Sequence, residues 1–125
     1  MTLKRRPKRR TQFSLDVVAL PQNFPCVEPG STIKLQLLRA ATSVGANYRA
    51  ACRARSHADF TSKIGVVAEE ADECQQWLNV VADSNLATGP ALQRLQREST
   101  ELVSICSAQV GTARRNEKRR ESRGR

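Results

Sequence analysis

A chain of 125 residues, 39% hydrophobic and 26% charged, is sized for one soluble domain with a real core and leaves no room for two. Aromatic residues make up only 4%, so the core must come from Leu, Val, Ile and Ala, which suits close-packed helices better than a β-sandwich. The net charge of +9 sits at the ends: residues 1–10 carry six cations and no acid, residues 114–125 carry +5, and residues 11–113 sum to −2, which leaves the termini as the main polyanion-binding elements.

Apolar periodicity predicts four helices. Phe13, Val17 and Leu20 mark the first, which ends near Pro21 because a helix interior rejects proline. Residues 22–30 form a proline-containing connector. Ser31 is the expected cap of the second helix, whose inward stripe is Ile33, Leu37, Ala41, Val44, Tyr48 and Ala51 and which stops around Arg53 to Arg55. Ser56 and Asp59 have capping-box spacing with Asp in place of Glu, and they open the third helix. Its stripe of Phe60, Ile64, Val67, Ala71, Cys74, Leu78 and Val81 alternates steps of four and three and is the strongest periodic signal in the chain. Residues 83–89 read as a turn, and Pro90 suits the first turn of the fourth helix. Leu92, Leu95, Ser99, Leu102, Cys106 and Gln109 continue the spacing, with Val103, Ile105 and Val110 beside it. After Ala113 the apolar residues cease, and the remainder reads as disordered.

The expected organisation is therefore all-α: a basic N-terminal tail (1–10), an antiparallel up-down-up-down four-helix bundle (11–113) and a basic disordered C-terminal tail (114–125). In that topology both tails leave from one pole, where the second helix ends and the third begins. The pole gathers Lys4, Arg5, Arg6, Lys8, Arg9 and Arg10 from one tail and Arg114, Arg115, Lys118, Arg119 and Arg120 from the other. The bundle adds Arg49, Arg53, Arg55 and Lys63. Such a pole suits phosphate backbones, because Lys and Arg displace condensed counterions. Solvated solubility tails, and cations that complement a helix C-terminus, are the structural readings of the same residues. No helix-turn-helix, zinc-finger or RNP-type aromatic pattern points to sequence-specific readout. A short first helix leaves part of the groove between its neighbours uncovered, which self-association would close.

Other polar residues carry little chemistry. Glu69, Glu70, Asp72 and Glu73 are consecutive positions that do not converge on one point, so ion pairs with arginines of the second helix or of another subunit are expected rather than a metal or acid–base site. Cys26, Cys52, Cys74 and Cys106 are widely spaced and none pairs with a histidine at ligand spacing, so neither a metal nor a cofactor is expected. Cys74 and Cys106 read as core thiols in a reducing compartment, the cytoplasm. No apolar run reaches the roughly 18 residues of a membrane span, and the basic N-terminus has no apolar segment of a secretory signal behind it. Ser43, Gly45 and Asn47 among the alanines of the second helix suggest close helix approach rather than a phosphate-cradling loop. Asn47 reads as a hydrogen bonder inside the bundle or across an interface, and Trp77 as a core-edge residue or a subunit-interface anchor. His57 reads as a loop residue without a catalytic partner, and no nucleophile–base pair is recognisable.

The run Gln36–Ala51 (QLLRAATSVGANYRAA), with Ser56, Asp59-Phe60, Lys63-Ile64, Glu69–Glu73 and Trp77-Leu78, resembles the signature of a bacterial four-helix-bundle family. That family includes proteins encoded in intervening sequences of the large-subunit ribosomal RNA gene and accessory variability proteins of diversity-generating retroelements. The resemblance implies a four-helix bundle, a homopentameric ring and no catalytic activity. In the retroelement branch it implies contact with RNA or DNA and with a reverse transcriptase. Family members often carry Glu where Ala50 stands here, so any contact made by that carboxylate is missing from this chain. The expectation is a non-enzymatic, nucleic-acid-binding accessory protein. The alternative is a structural protein–protein interaction module with no nucleic-acid role.

Overall fold

The computed structural model describes residues 12–20 and 28–124. They form four helices: α1 (12–20), α2 (Gly30–Cys52), α3 (His57–Asp83) and α4 (Pro90–Arg123), with no strand among them. α3 packs along both α2 and α4. α1 takes the remaining corner. Its Ser14 Oγ donates to the Ala41 carbonyl of α2 at 2.7 Å, while Asp16, Ala19 and Leu20 share a small cleft with Ala91, Arg94 and Leu95 of α4. The α1–α2 approach is close at Gly45, where a Cβ would lie 3.3 Å from Ser14 Oγ.

The expected stripes form one core. Leu37, Ala41, Val44, Tyr48 and Ala51 on α2, joined by Ala40, meet Ile64, Val67, Ala71, Cys74, Leu78 and Val81 on α3. Leu92, Leu95, Ser99, Leu102 and Cys106 close the core from α4, with Phe13, Val17 and Leu20 from α1. Steps of three and four keep each stripe on one helix face, and each fully buried Leu or Val contributes about 1.5–3 kcal/mol by leaving water. Ile33 and Phe60 are partly buried at its edges. On α4 the register steps from Cys106 to Val110 and Ala113, which are buried in place of Gln109. A second step of four here follows the 3.6-residue turn better than the alternation would.

The helix ends explain the boundaries. At α3 the Asp59 N–H donates to Ser56 Oγ at 3.0 Å, as the capping-box spacing predicts. The Asp59 carboxylate reaches back to the Arg55 N–H at 3.3 Å rather than to Ser56. Ser31, expected to cap α2, instead lies one residue inside it. Pro29 occupies the cap position without a side-chain bond, and the Glu28 carboxylate accepts from the Ser31 and Thr32 hydroxyls. Those bonds hold the Glu28 carboxyl below its usual range and set a negative charge at the positive end of the helix dipole. The α3–α4 turn carries Asn85 and Gly89 at φ 58 and 109, and Pro90 opens α4. The left-handed region at Gly89 is one that a Cβ disfavours.

Helix lengths produce the largest departure from the sequence reading. α4 runs for 34 residues against 23 for α2 and 27 for α3, so residues 114–123, expected to be disordered, continue the helix instead. Arg, Lys, Glu and Asn sustain a helix without any apolar residue once it has been nucleated. His57 is likewise not a loop residue. It is the first residue of α3, and its Nε2–H donates to the Ala113 carbonyl at 2.9 Å. Beyond that bond α4 overhangs the bundle by ten residues, about 15 Å at 1.5 Å per residue.

Candidate nucleic-acid interface

The end of α2, the start of α3 and the end of α4 meet at one pole, as the connectivity predicts. Arg49 lies in the last turn of α2 and Arg53 is its C-cap residue, Arg55 lies on the short loop, and Lys63 lies nearly two turns into α3. With Ala46, Ala50, Ser56 and Asp59 they line an open cleft of about 670 Å³ between α2 and α3. Its floor is small and neutral because Ala46 and Ala50 are one turn apart on α2.

The cations of the cleft differ in how they are held. Lys63 Nζ is 2.7 Å from Asp59 Oδ1. That bond, followed by the Arg55 N–H, draws the Asp59 carboxyl below its usual range. Arg49 and Arg53 are exposed and form no salt bridge among the described residues. Arg49 lies in the last turn of α2 and also offsets the negative end of its dipole. An exposed guanidinium with no carboxylate partner is available to phosphate, which it engages through paired N–H donors.

Arg114, Arg115, Lys118, Arg119 and Arg120 all sit on the overhang of α4 and are exposed. Arg119 and Arg120, with Arg123, Asn116 and His57, line a second cleft of about 260 Å³ over the bundle end. Arg123 belongs to this set and was missed by reading the tail as disordered. The absence of Gly and Pro from Thr112 to Arg123, with Ala, Arg, Lys and Glu in most positions, was the available signal. Lys4, Arg5, Arg6, Lys8, Arg9 and Arg10 lie outside the described residues. A third, mainly apolar groove of about 480 Å³ runs between α3 and α4, lined by Phe60, Ile105, Ala108 and Thr112 among others.

The remaining polar candidates are placed as follows. Arg39 of α2 pairs with Glu73 at 2.5 Å and Glu70 at 3.5 Å, the helix-two ion pairs expected of the acidic run. The Arg39 hydrogen bond lowers the Glu73 carboxyl from its usual range. Glu69 and Asp72 are exposed, and no group of residues that would hold a metal ion occurs among the described residues. Asn47 is partly buried and its Nδ2 donates to the Ser43 carbonyl of its own helix at 2.9 Å. Trp77 lies partly buried against the core with its Nε1–H directed to Glu73 Oε1 at 3.3 Å. Cys74 and Cys106 are buried, and burial pushes the Cys74 thiol up to about 12. No helix among the described residues is long and apolar enough to cross a membrane.

The fold has a clear counterpart. A protein of unknown function from the S23 ribosomal protein family of Bacteroides thetaiotaomicron VPI-5482 superposes with a TM-score of 0.73 at 27% identity, covering 83% of this chain and 96% of that one. No curated protein matches the sequence. The family model described as 23S rRNA-intervening sequence protein matches residues 7–108, which takes in α1 to α3 and over half of α4 and leaves out the overhang. Over that span the chain belongs to the 23S rRNA-intervening sequence protein family.

Proposed function

We propose that this protein is a non-catalytic, homo-oligomeric accessory protein that holds RNA or DNA at its basic pole without reading sequence. The observation that carries this reading is the pair Arg49 and Arg53, exposed in an open cleft with no carboxylate partner among the described residues, at the same pole as the cation-rich end of α4. Phosphates supply the missing partners, and each one neutralised releases counterions. The residues a catalytic reading would draw on are held in structural pairs: Glu70 and Glu73 by Arg39, and His57 by the Ala113 carbonyl.

Self-association strengthens such a site. Copies packed side by side in a ring, the pentamer implied by the family resemblance, present their poles on one face and convert weak phosphate contacts into avidity. Exposed Leu15, Val18 and Leu35 supply apolar surface for that packing, and Asn47 and Trp77 are the proposed interface residues. The setting is the cytoplasm, with ribosomal RNA or a reverse transcriptase as partner according to the family branch.

The test is fluorescence anisotropy with a random-sequence oligonucleotide across a salt series, alongside light scattering for subunit number. The expected result is log K falling linearly with log salt, by roughly a thousandfold between 50 and 200 mM if about six phosphates are engaged. Removing residues 1–10 and 114–125 together with Arg49→Ala and Arg53→Ala should abolish binding at low salt; unchanged affinity overturns the reading.

A second reading, a structural module for protein–protein contact, is favoured by the same exposed leucines and by the apolar groove beside Phe60. It expects a stable oligomer whose encounter with nucleic acid is insensitive to salt.

A further inference from the structure

The overhang of α4 has three properties that a solubility tail does not need. It is helical throughout, it approaches the rest of the described residues only at the cleft where Asn116, Arg119, Arg120 and Arg123 meet His57, and every residue from Arg114 to Arg123 is exposed except the half-buried Glu117. Its cations are not on one face. At about 100° per residue, Arg114, Lys118, Arg115, Arg119, Arg123 and Arg120 fan over an arc of about 240°, leaving the remaining sector to Glu117 and Glu121. Like charges also stand one turn apart at Arg114 and Lys118, Arg115 and Arg119, and Arg119 and Arg123, an arrangement that weakens an isolated helix until anions surround it. The segment lies beyond the region matched by the family model.

A single strand of nucleic acid, or a flat phosphate surface, needs cations on one side of a helix. Cations on opposite sides fit a channel with phosphates on both walls. The B-form major groove is such a channel: about 12 Å wide, it admits an α-helix, whose diameter with side chains is about 10–12 Å. The A-form major groove is deep and too narrow for side chains to enter. We infer that the projecting end of α4, Arg114–Arg123, seats in the major groove of duplex DNA and makes this protein prefer B-form DNA over duplex RNA. This rests on the nucleic-acid reading of the pole and adds the choice of duplex to it.

The experiment compares the full chain on a short DNA duplex, an RNA duplex of the same sequence and the corresponding single strands, by anisotropy at fixed salt. The DNA duplex should bind roughly tenfold or more tightly than the RNA duplex. Asn116→Pro, which keeps every charge but breaks the overhang at its root, should erase that difference while leaving salt-dependent binding to the single strands. A companion variant, Arg119→Ala with Arg120→Ala and Arg123→Ala, should lower DNA-duplex affinity more than RNA-duplex affinity. Equal affinities for the two duplexes, tighter binding to RNA, or a preference that survives Asn116→Pro each overturn the groove-seated helix while leaving the basic pole as a polyanion site. Absence of binding to every oligonucleotide overturns both.

Discussion

His57 Nε2 donates to the carbonyl oxygen of Ala113 across 2.9 Å, tying the first residue of α3 to the last buried residue of α4. The carbonyl can only accept, so the ring proton is on Nε2. The bond sits at the point where α4 leaves the bundle, so it sets where the supported helix ends and the overhang begins. His57→Ala should cost about 1 kcal/mol, the usual net worth of one such hydrogen bond. Hydrogen exchange should quicken first in the last turns of α4, with the centre of α3 unchanged. Equal protection throughout α4 in the variant would show that the bond does not anchor it.

The core should respond to truncation by position rather than by residue type. Leu78 and Leu102 are fully buried, and replacing either by Ala should cost about 2–5 kcal/mol. Leu35 is 65% exposed in the single protomer, and the same change there should stay within about 0.5 kcal/mol under conditions where the protein is monomeric. Urea denaturation of the three variants checks the ordering, and a large loss at Leu35 would reveal a subunit contact over it.

The α2–α3 cleft makes a charge prediction. Arg53→Ala should lower oligonucleotide affinity evenly across sequences and reduce the salt slope by about 1. Ala50→Glu, which lines the cleft floor with a carboxylate between Arg49 and Arg53, should weaken binding at least as much without removing a cation. Anisotropy titrations at several salt concentrations give both quantities. A full-affinity Ala50→Glu protein would mean that phosphate does not enter the cleft.

Thiol reactivity should separate the described cysteines. Cys52 is exposed and should alkylate readily at mildly alkaline pH, while Cys74 and Cys106 should not until the protein unfolds. Because burial raises the Cys74 thiol from 9.0 to about 12, the folded protein keeps its proton where the unfolded chain loses it. The associated stability is complete below pH about 9 and is lost as pH rises toward about 12. Mass spectrometry of the labelled protein, and denaturation midpoints followed into that alkaline window, test the two statements separately.

What was legible in the sequence depended on whether apolar residues carried the signal. The α3 stripe from Ile64 to Val81 was readable because its alternation of steps leaves one solution for which face is buried. Ser56 and Asp59 were readable because a cap has fixed spacing. The basic pole followed from connectivity once four helices were granted. The overhang was not legible by the same rule, because a helix that buries nothing has no periodicity to find, and propensity alone had to indicate Arg114–Arg123. Ser31 was misplaced because Pro29 takes the cap position and the Ser31 hydroxyl is engaged by Glu28, three residues earlier, a pattern that single-residue preferences do not encode. His57 needed the third dimension, since its partner lies 56 positions away in the chain.

Segregated charge acts before any contact is made. The overhang carries its outermost guanidinium group, Arg123, about 15 Å ahead of the bundle end, farther than the screening distance of about 8–10 Å at moderate salt. An approaching polyanion therefore meets the tip first and turns the near-neutral body behind it, so that collisions are oriented rather than random. Shortening this prow should slow association more than it hastens release.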